Sequence, residues 1–277
     1  MNTIKSKIFH LIECQVYALA KTKRFKGLAA FADGFAVMYH RAYENYNYNH
    51  NSNGELWLLK QLASAGLLGV VFDVGANRGD WTECVLKANP AAHVHCFEIC
   101  PPTFALLKSV LDGRSNVVLN RFGLSNSTGE TEIHYSSESD GLTSTLNVDT
   151  ITNAQKFCVP VERGDQYCKS SSVGTIDFLK IDVEGAEPSV LSGFGDLVRP
   201  GVIPIVQFEY GRLNIDAKYL LCDFYSYFRE RGYLVGKLLP QGVRIREYSA
   251  WDEDFLGPNY VAIRPDLAPH LQDRSRL

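Results

Sequence analysis

The sequence holds no apolar stretch near the roughly 20 residues that a membrane-spanning helix needs. Its N-terminus lacks the apolar centre and small-residue cleavage site of a secretory leader, because Glu13, Lys21, Lys23, Arg24 and Lys26 interrupt it. No Cys-x-x-Cys pair is present. The seven cysteines (14, 84, 96, 100, 158, 168 and 222) are odd in number and scattered. The closest spacing, Cys96 to Cys100, has no second pair and no His-x-His partner to close a zinc site. Reduced thiols in a cytoplasmic protein are therefore expected, not a disulfide framework. An excess of positive charge is missing too. Lys and Arg number 28 against 31 Asp and Glu, a net charge of -3. That excludes a bulk electrostatic case for nucleic acid or for an anionic membrane.

What is present is ordinary for a globular chain: 277 residues, 45% hydrophobic and 21% charged. The length allows one sizeable core plus an extension. Ile8, Leu11, Ile12, Val16 and Leu19 recur at helical spacing, which predicts an amphipathic N-terminal helix with a core-packing face. Docking to a partner, such as a second copy in a homodimer, or lying on a membrane surface without stable insertion, are its other readings. A second helical stretch covers Leu28–His40. The segment Tyr43 to Gly54 then alternates Tyr and Asn and predicts a loop or linker. Its Tyr faces and Asn amides also suit a loop that faces a sugar-like substrate.

From Val70 onward, strands and helices alternate. Val70–Val74, Ala92–Phe97, Val117–Asn120, Ile176–Val183 and Val202–Phe208 read as buried strands, and helical stretches separate most of them. This pattern implies βαβ units and a mostly parallel sheet. Tyr233–Leu239 and Tyr260–Ile263 follow without an intervening helix, so an antiparallel pair is expected at the end.

The first strand runs into Asp73-Val74-Gly75-Ala76-Asn77-Arg78-Gly79. A dinucleotide fingerprint would need glycines at 75, 77 and 80, and two of them are missing. The spacing acid-x-G-x-G-x-G is met at Asp73, Gly75 and Gly79, with Asn77 in the middle place, where Asn tolerates a left-handed backbone. Such a turn suits S-adenosylmethionine (SAM). SAM brings a positive ammonium and sulfonium, which welcome an acid, whereas a pyrophosphate does not. Glu98, at the end of the second strand, lies where an acid chelates the ribose hydroxyls of a nucleoside, and Phe97 beside it could pack on the adenine.

Farther on, the strand period puts Lys180, Asp182 and Glu184 on one face, at a strand end where ligands bind in open α/β sheets. Buried charges of this kind are costly unless paired or used. Glu209 ends the next strand and is expected at the same rim. Asp182, Glu184 and Glu209 could together hold Mg²⁺, which prefers oxygen ligands. No His stands among these acids, so zinc is not expected.

Together these segments resemble the FkbM family of SAM-dependent methyltransferases. The resemblance rests on Val71–Gly79, on Phe97-Glu98 with Pro101-Pro102, on Asn120 through Leu124-Ser125, and on Asp177–Glu187, with Asn53-Gly54-Glu55 as an entry motif. It covers about Asn53 to Ile263. It implies a Rossmann-like class I α/β fold, with a mostly parallel seven-stranded sheet whose last strand is antiparallel. Here that fold would carry a helical N-terminal extension (1–52) and a C-terminal tail (266–277), with the methyltransferase domain at 53–265. It implies O-methylation of a sugar, glycan or glycosylated natural product. Cofactor contacts would come from Asp73, Gly75, Ala76, Asn77, Gly79, Phe97, Glu98, Gly123, Leu124 and Asp182. Lys180, Asp182, Glu184 and Glu209 would carry catalysis, with Asp182 or Glu209 as base, or Mg²⁺ acidifying the hydroxyl in their place. The insert Ser136–Thr145 is a candidate lid. Two competitors remain: a nucleic-acid methyltransferase, whose adenine-N6 type would need Asn/Asp-Pro-Pro-aromatic where Asp182-Val183-Glu184-Gly185 stands, and a SAM-binding module without turnover.

Overall fold

The structure is a computed structural model and describes residues 2–21, 26–136, 143–144 and 155–273. It divides into two compact units, residues 1–46 and 47–277. The first unit holds α1 (Asn2–Lys21) and α2 (Lys26–Tyr43). The helices form where the periodicity predicts them; of the face expected to pack in a core, Leu11, Ile12 and Val16 are more than half exposed, as are Phe31 and Met38 of α2. No described helix is long and apolar enough to cross a membrane.

The second unit begins within the Tyr/Asn-rich segment. In chain order it contains α3 (Glu55–Ser64), β1 (Val70–Val74), α4 (Asp80–Ala88), β2 (His93–Phe97), α5 (Pro101–Leu111), β3 (Val117–Asn120), β4 (Gly123–Ser125), β5 (Gly129–Tyr135), β6 (Thr143–Ser144) and β7 (Gln155–Arg163). There follow α6 (Gly164–Ser170), β8 (Phe178–Ile181), α7 (Glu187–Phe194), β9 (Ile205–Glu209), α8 (Leu213–Ala217), α9 (Leu221–Glu230), β10 (Leu234–Leu239), β11 (Gly242–Ile245), β12 (Asn259–Ile263) and α10 (Ala268–Leu271).

The main sheet has the order β11-β10-β12-β9-β8-β1-β2-β3. β1 pairs in parallel with both β2 and β8, and β8 with β9. β12 lies antiparallel between β9 and β10, which is the reversed strand the resemblance implied. To the seven strands expected, the structure adds an eighth at the edge, β11, a hairpin partner of β10. Ala268 and Leu271 of the expected tail are buried, and Gln272 bridges to Val243 of β11.

The chain leaves β1 toward β2 and β3 on one side, then returns to β8 and β9 on the other. That reversal opens a crevice beyond the carboxyl ends of β1 and β8. Both faces of the sheet are sealed by apolar side chains. Phe72, Leu179, Phe194 and Phe208 pack on one face, and Val71, Val94, Phe178 and Leu62 on the other. A second sheet, β4-β7-β5-β6, stands beside the crevice. It lies outside the strands expected from the alternation above. Apart from Ser136 and the short β6, the insert expected as a lid lies outside the described residues.

Candidate functional site

A cavity of about 490 Å³ opens at the crevice, within the usual range for small-molecule sites. Its wall on the β1 side is the turn Gly75–Arg78. Gly75 has φ 84°, and a Cβ there would overlap the carbonyl oxygen of Asp182. This glycine therefore lets the ends of β1 and β8 meet. Asn77 takes φ 48° in the place where the sequence puts Asn for glycine. Gly79, at φ 92°, precedes α4 and leaves room for Leu107 and Leu111. The amides of Gly75 and Ala76 both donate to the Phe97 carbonyl at 3.0 Å, which locks the turn to β2.

Glu98 lines the cavity and is 5% exposed. Its Oε2 accepts the Asn77 N–H at 2.9 Å and its Oε1 the Cys100 N–H at 2.8 Å. Burial pushes its carboxyl up to about 7, although the two amides pull the other way. Phe97 also lines the cavity, but it is 1% exposed and packs on Tyr167 and Phe72 with ring centroids 4.8 and 5.4 Å apart. Gly123 and Leu124 enter from β4.

On the other wall stand Lys180, Asp182 and Glu184. The strand ends at Ile181, so the acids come from the turn that follows and not from a continuing strand face. Glu184 adopts φ 54°, and carboxylate oxygens of Asp182, Glu184 and Glu209 lie within 4.8 Å of one another. Lys180 Nζ donates to Asp182 Oδ2 at 3.0 Å and pairs with Asp73 Oδ1 at 3.6 Å. Burial would lower the Lys180 ammonium, but the charges of Asp182, Asp73 and Glu55 outweigh it and raise it. Burial first, then the charges of Asp182 and Glu187, push Glu184 up to about 8. Glu209 is raised well above the usual carboxylate range by burial and by the charges of Asp182, Glu184 and Glu187.

Three expected residues do not line the cavity: Asp73, Gly79 and Glu209. Asp73 is fully buried behind the wall, where it accepts the Thr82 hydroxyl at 2.6 Å. Burial raises its carboxyl against the pull of Lys180 and Thr82. Glu187 turns out to be a capping group, receiving the amides of Val183 and Gly185 at 3.0 Å.

Trp81 and His50 are among the lining residues that were not singled out from the sequence. Trp81 is 3% exposed, its ring lies 5.5 Å from Lys180 Nζ, and its Nε1 has no hydrogen-bond partner among the described residues. Helix α4, which follows the glycine turn, was the available signal for it. His50, from the Tyr/Asn-rich segment, also lines the cavity. The chain signal for it was the entry motif only three residues later.

The orphaned Trp81 donor, the acid Glu98 and the close-approach turn at Gly75 form a cradle of the kind a nucleoside with an amino-acid tail requires. A divalent cation fits less well. An ammonium already sits on Asp182 Oδ2 and compensates the charge of that carboxylate.

A family model described as Methyltransferase FkbM domain matches residues 73–235. Among curated proteins, the hexuronic acid methyltransferase AglP of Haloferax volcanii is 31% identical over 156 residues, which are 56% of this chain and 62% of that protein. The 2-O-methyltransferase NoeI of Sinorhizobium fredii is 25% identical over 138 residues, 45% of this chain and 56% of that one. The chain thus spans less than two thirds of the length of either relative. Among solved structures, an O-methyltransferase from Bacillus cereus in complex with SAH superposes with a TM-score of 0.45 at 12% identity, covering 83% of this chain and 89% of that chain.

Proposed function

The chain belongs to the FkbM methyltransferase family, and from that premise we propose that it transfers the methyl group of SAM to a hydroxyl of a sugar, glycan or glycosylated natural product. The observation that carries this reading is the cavity at the β1/β8 reversal. A nucleoside-type acid, Glu98, stands on one wall and the polar group Lys180–Asp182–Glu184 on the other. The hydroxyl-bearing acceptor is supported by the two relatives, a hexuronic acid methyltransferase and a 2-O-methyltransferase.

When bound, SAM supplies an electrophilic methyl group on a positively charged sulfur. Glu98 would hold the ribose hydroxyls, with the turn Gly75–Asn77 against the nucleoside and Gly123 and Leu124 closing the far side. Trp81 Nε1 would donate to an acceptor atom of the tail. Asp73 acts from behind the wall by holding Lys180. Asp182, at the rim, supplies the negative charge that faces a cationic cofactor. Burial and the neighbouring acids raise the carboxyls of Glu184 and Glu209, which disfavours their ionised forms and makes them poorer candidates for the base than their position alone suggests. Were Mg²⁺ held, its ligands would be Asp182, Glu184 and Glu209, and it would acidify the acceptor hydroxyl.

We take the catalytic domain as 53–265, extended at the front to include His50. The buried, unbridged thiols of Cys84, Cys96, Cys100 and Cys168 support a reducing, cytoplasmic setting. The test is a labelled-methyl screen against sugars, uronic acids, nucleotide sugars and glycan extracts, beside calorimetry with SAH and NAD. Methyl incorporation with SAH binding is expected. Tight SAH binding without incorporation into any hydroxyl acceptor would leave a binding module, and NAD binding would overturn the site.

A further inference from the structure

The Tyr/Asn-rich loop is built to hold one imidazole. Asn47 and Asn49 accept the amides of Asn49 and Asn51 through their side-chain oxygens, both at 3.0 Å. Asn53 Oδ1 accepts the Glu55 amide at 3.0 Å, and Asn53 Nδ2 donates to Glu55 Oε2 at 2.7 Å. These side chains stand in for backbone partners and give the loop one shape. Gly54, at φ 107°, passes so close to Leu239 that a Cβ would overlap its carbonyl oxygen. The loop is thereby pinned to the main sheet at β10.

Glu55 is the centre of this arrangement. It is 2% exposed, and both of its oxygens are engaged. Oε1 accepts from Gln207 Nε2 on β9 at 2.7 Å, and Gln207 Nε2 also donates to Asn259 Oδ1 on β12 at 3.0 Å. Oε2 accepts from Asn53 and meets His50 Nδ1 at 2.6 Å. Burial alone would raise the Glu55 carboxyl. The bond and charge of His50, the charge of Lys180 and the Asn53 amide overcome burial and hold it at about 2. A carboxylate so acidic only accepts, so His50 Nδ1 carries the hydrogen. Nε2 is then the nitrogen left to exchange a proton, on a ring that lines the cavity with Lys180 and Asp182.

Resting on the methyl-transfer reading, we propose that His50 Nε2 is the general base for the acceptor hydroxyl and that Glu55 is its positioning residue. The hydroxyl proton passes to His50 Nε2 while the oxygen's electron pair forms the bond to the transferred methyl carbon. The carbon–sulfur pair stays on sulfur, and His50 returns its proton to water. Asp182, expected as base from the sequence, is tied to Lys180 Nζ, and Glu209 does not line the cavity. A base fixed by a buried carboxylate and aimed at a cavity is a recurring catalytic pattern. The ionisable groups acting on His50 are Glu55 from α3, and Lys180 and Asp182 from the end of β8. The Glu55 bond dominates and raises the imidazole above its ordinary value of 6.5, against burial and Lys180.

The experiment uses the full chain with labelled SAM and a pool of hexoses, hexuronic acids and their nucleotide sugars. His50→Gln should cut methyl transfer ~100-fold or more, the usual span for a general base, and leave SAH affinity within about threefold. Wild-type kcat/KM should fall as pH drops through the His50 pKa, above 6.5. Glu55→Gln should move that limb to lower pH, and should move the His50 titration seen by NMR in the SAH-bound protein in the same direction. Glu55→Asp serves if the glutamine variant does not fold. A wild type inert on the whole pool overturns the methyl-transfer reading, and this inference with it. An active wild type whose His50→Gln variant keeps its rate, or whose acid limb is lost in Asp182→Asn but kept in His50→Gln, overturns the dyad alone.

Discussion

Glu98 accepts the backbone N–H of Asn77 at 2.9 Å, and so ties the turn after β1 to the end of β2. The two halves of the proposed nucleoside cradle are one hydrogen-bonded unit. Glu98→Ala orphans the amides of Asn77 and Cys100 and removes the acid from the cavity. SAH affinity should fall about 30-fold, some 2 kcal/mol, by calorimetry.

The same residue predicts a pH dependence. Its carboxyl is held at about 7 by burial, so it is largely protonated below that pH and ionised above it. The ionised form is the better acceptor of ribose hydroxyls. SAH affinity should rise as pH passes upward through 7, and Glu98→Gln should flatten the curve.

Gly75→Ala places a Cβ against the Asp182 carbonyl at φ 84°. Strain and overpacking together should cost on the order of 2–4 kcal/mol in urea denaturation, with loss of SAH binding.

Lys180→Met leaves Asp73 and Asp182 without their shared cation. Lys180 is 3% exposed and Asp73 fully buried, so the loss should be about 3–5 kcal/mol. Urea melts of the double variant Asp73→Asn/Lys180→Met should recover part of it.

Glu55 contributes stability with a defined pH window. Its carboxyl lies at about 2 against an ordinary 4.5, so the contribution is complete above about pH 5. It is lost as pH falls from 4.5 through 2, and amounts to about 3 kcal/mol. Acid melts of wild type and Glu55→Gln should converge at low pH and differ near neutrality.

Methyl transfer should survive EDTA, since Lys180 already compensates Asp182. Loss restored by Mg²⁺ would assign activation of the acceptor hydroxyl to a cation at Asp182, Glu184 and Glu209 in place of the base His50.

Much of the lining of the candidate site was legible in the chain. The run Asp73–Gly79 reads clearly because close strand approach and left-handed backbone admit few residue types, and the chain uses Gly75, Asn77 and Gly79 there. Glu98 and Lys180–Glu184 were legible because strand ends gather ligands in this fold class. The second sheet was not, since β7 alternates weakly and pairs in parallel with only three residues of β4. Asp73 was expected to contact the cofactor, yet its partners Thr82 and Lys180 hold it behind the wall.

The sequence by itself determined the class of fold, the glycine turn and three acids of the cavity wall, Glu98, Asp182 and Glu184, because turn backbone and strand ends are specified locally. It did not reveal His50. That imidazole matters through Glu55, whose anchor Gln207 lies 152 residues away on another strand. Only the folded sheet brings Gln207 and Asn259 beneath the loop, buries the carboxylate and turns a surface-looking histidine toward the cavity. Contacts between distant segments carry no local periodicity, so the tertiary structure alone decided that relationship.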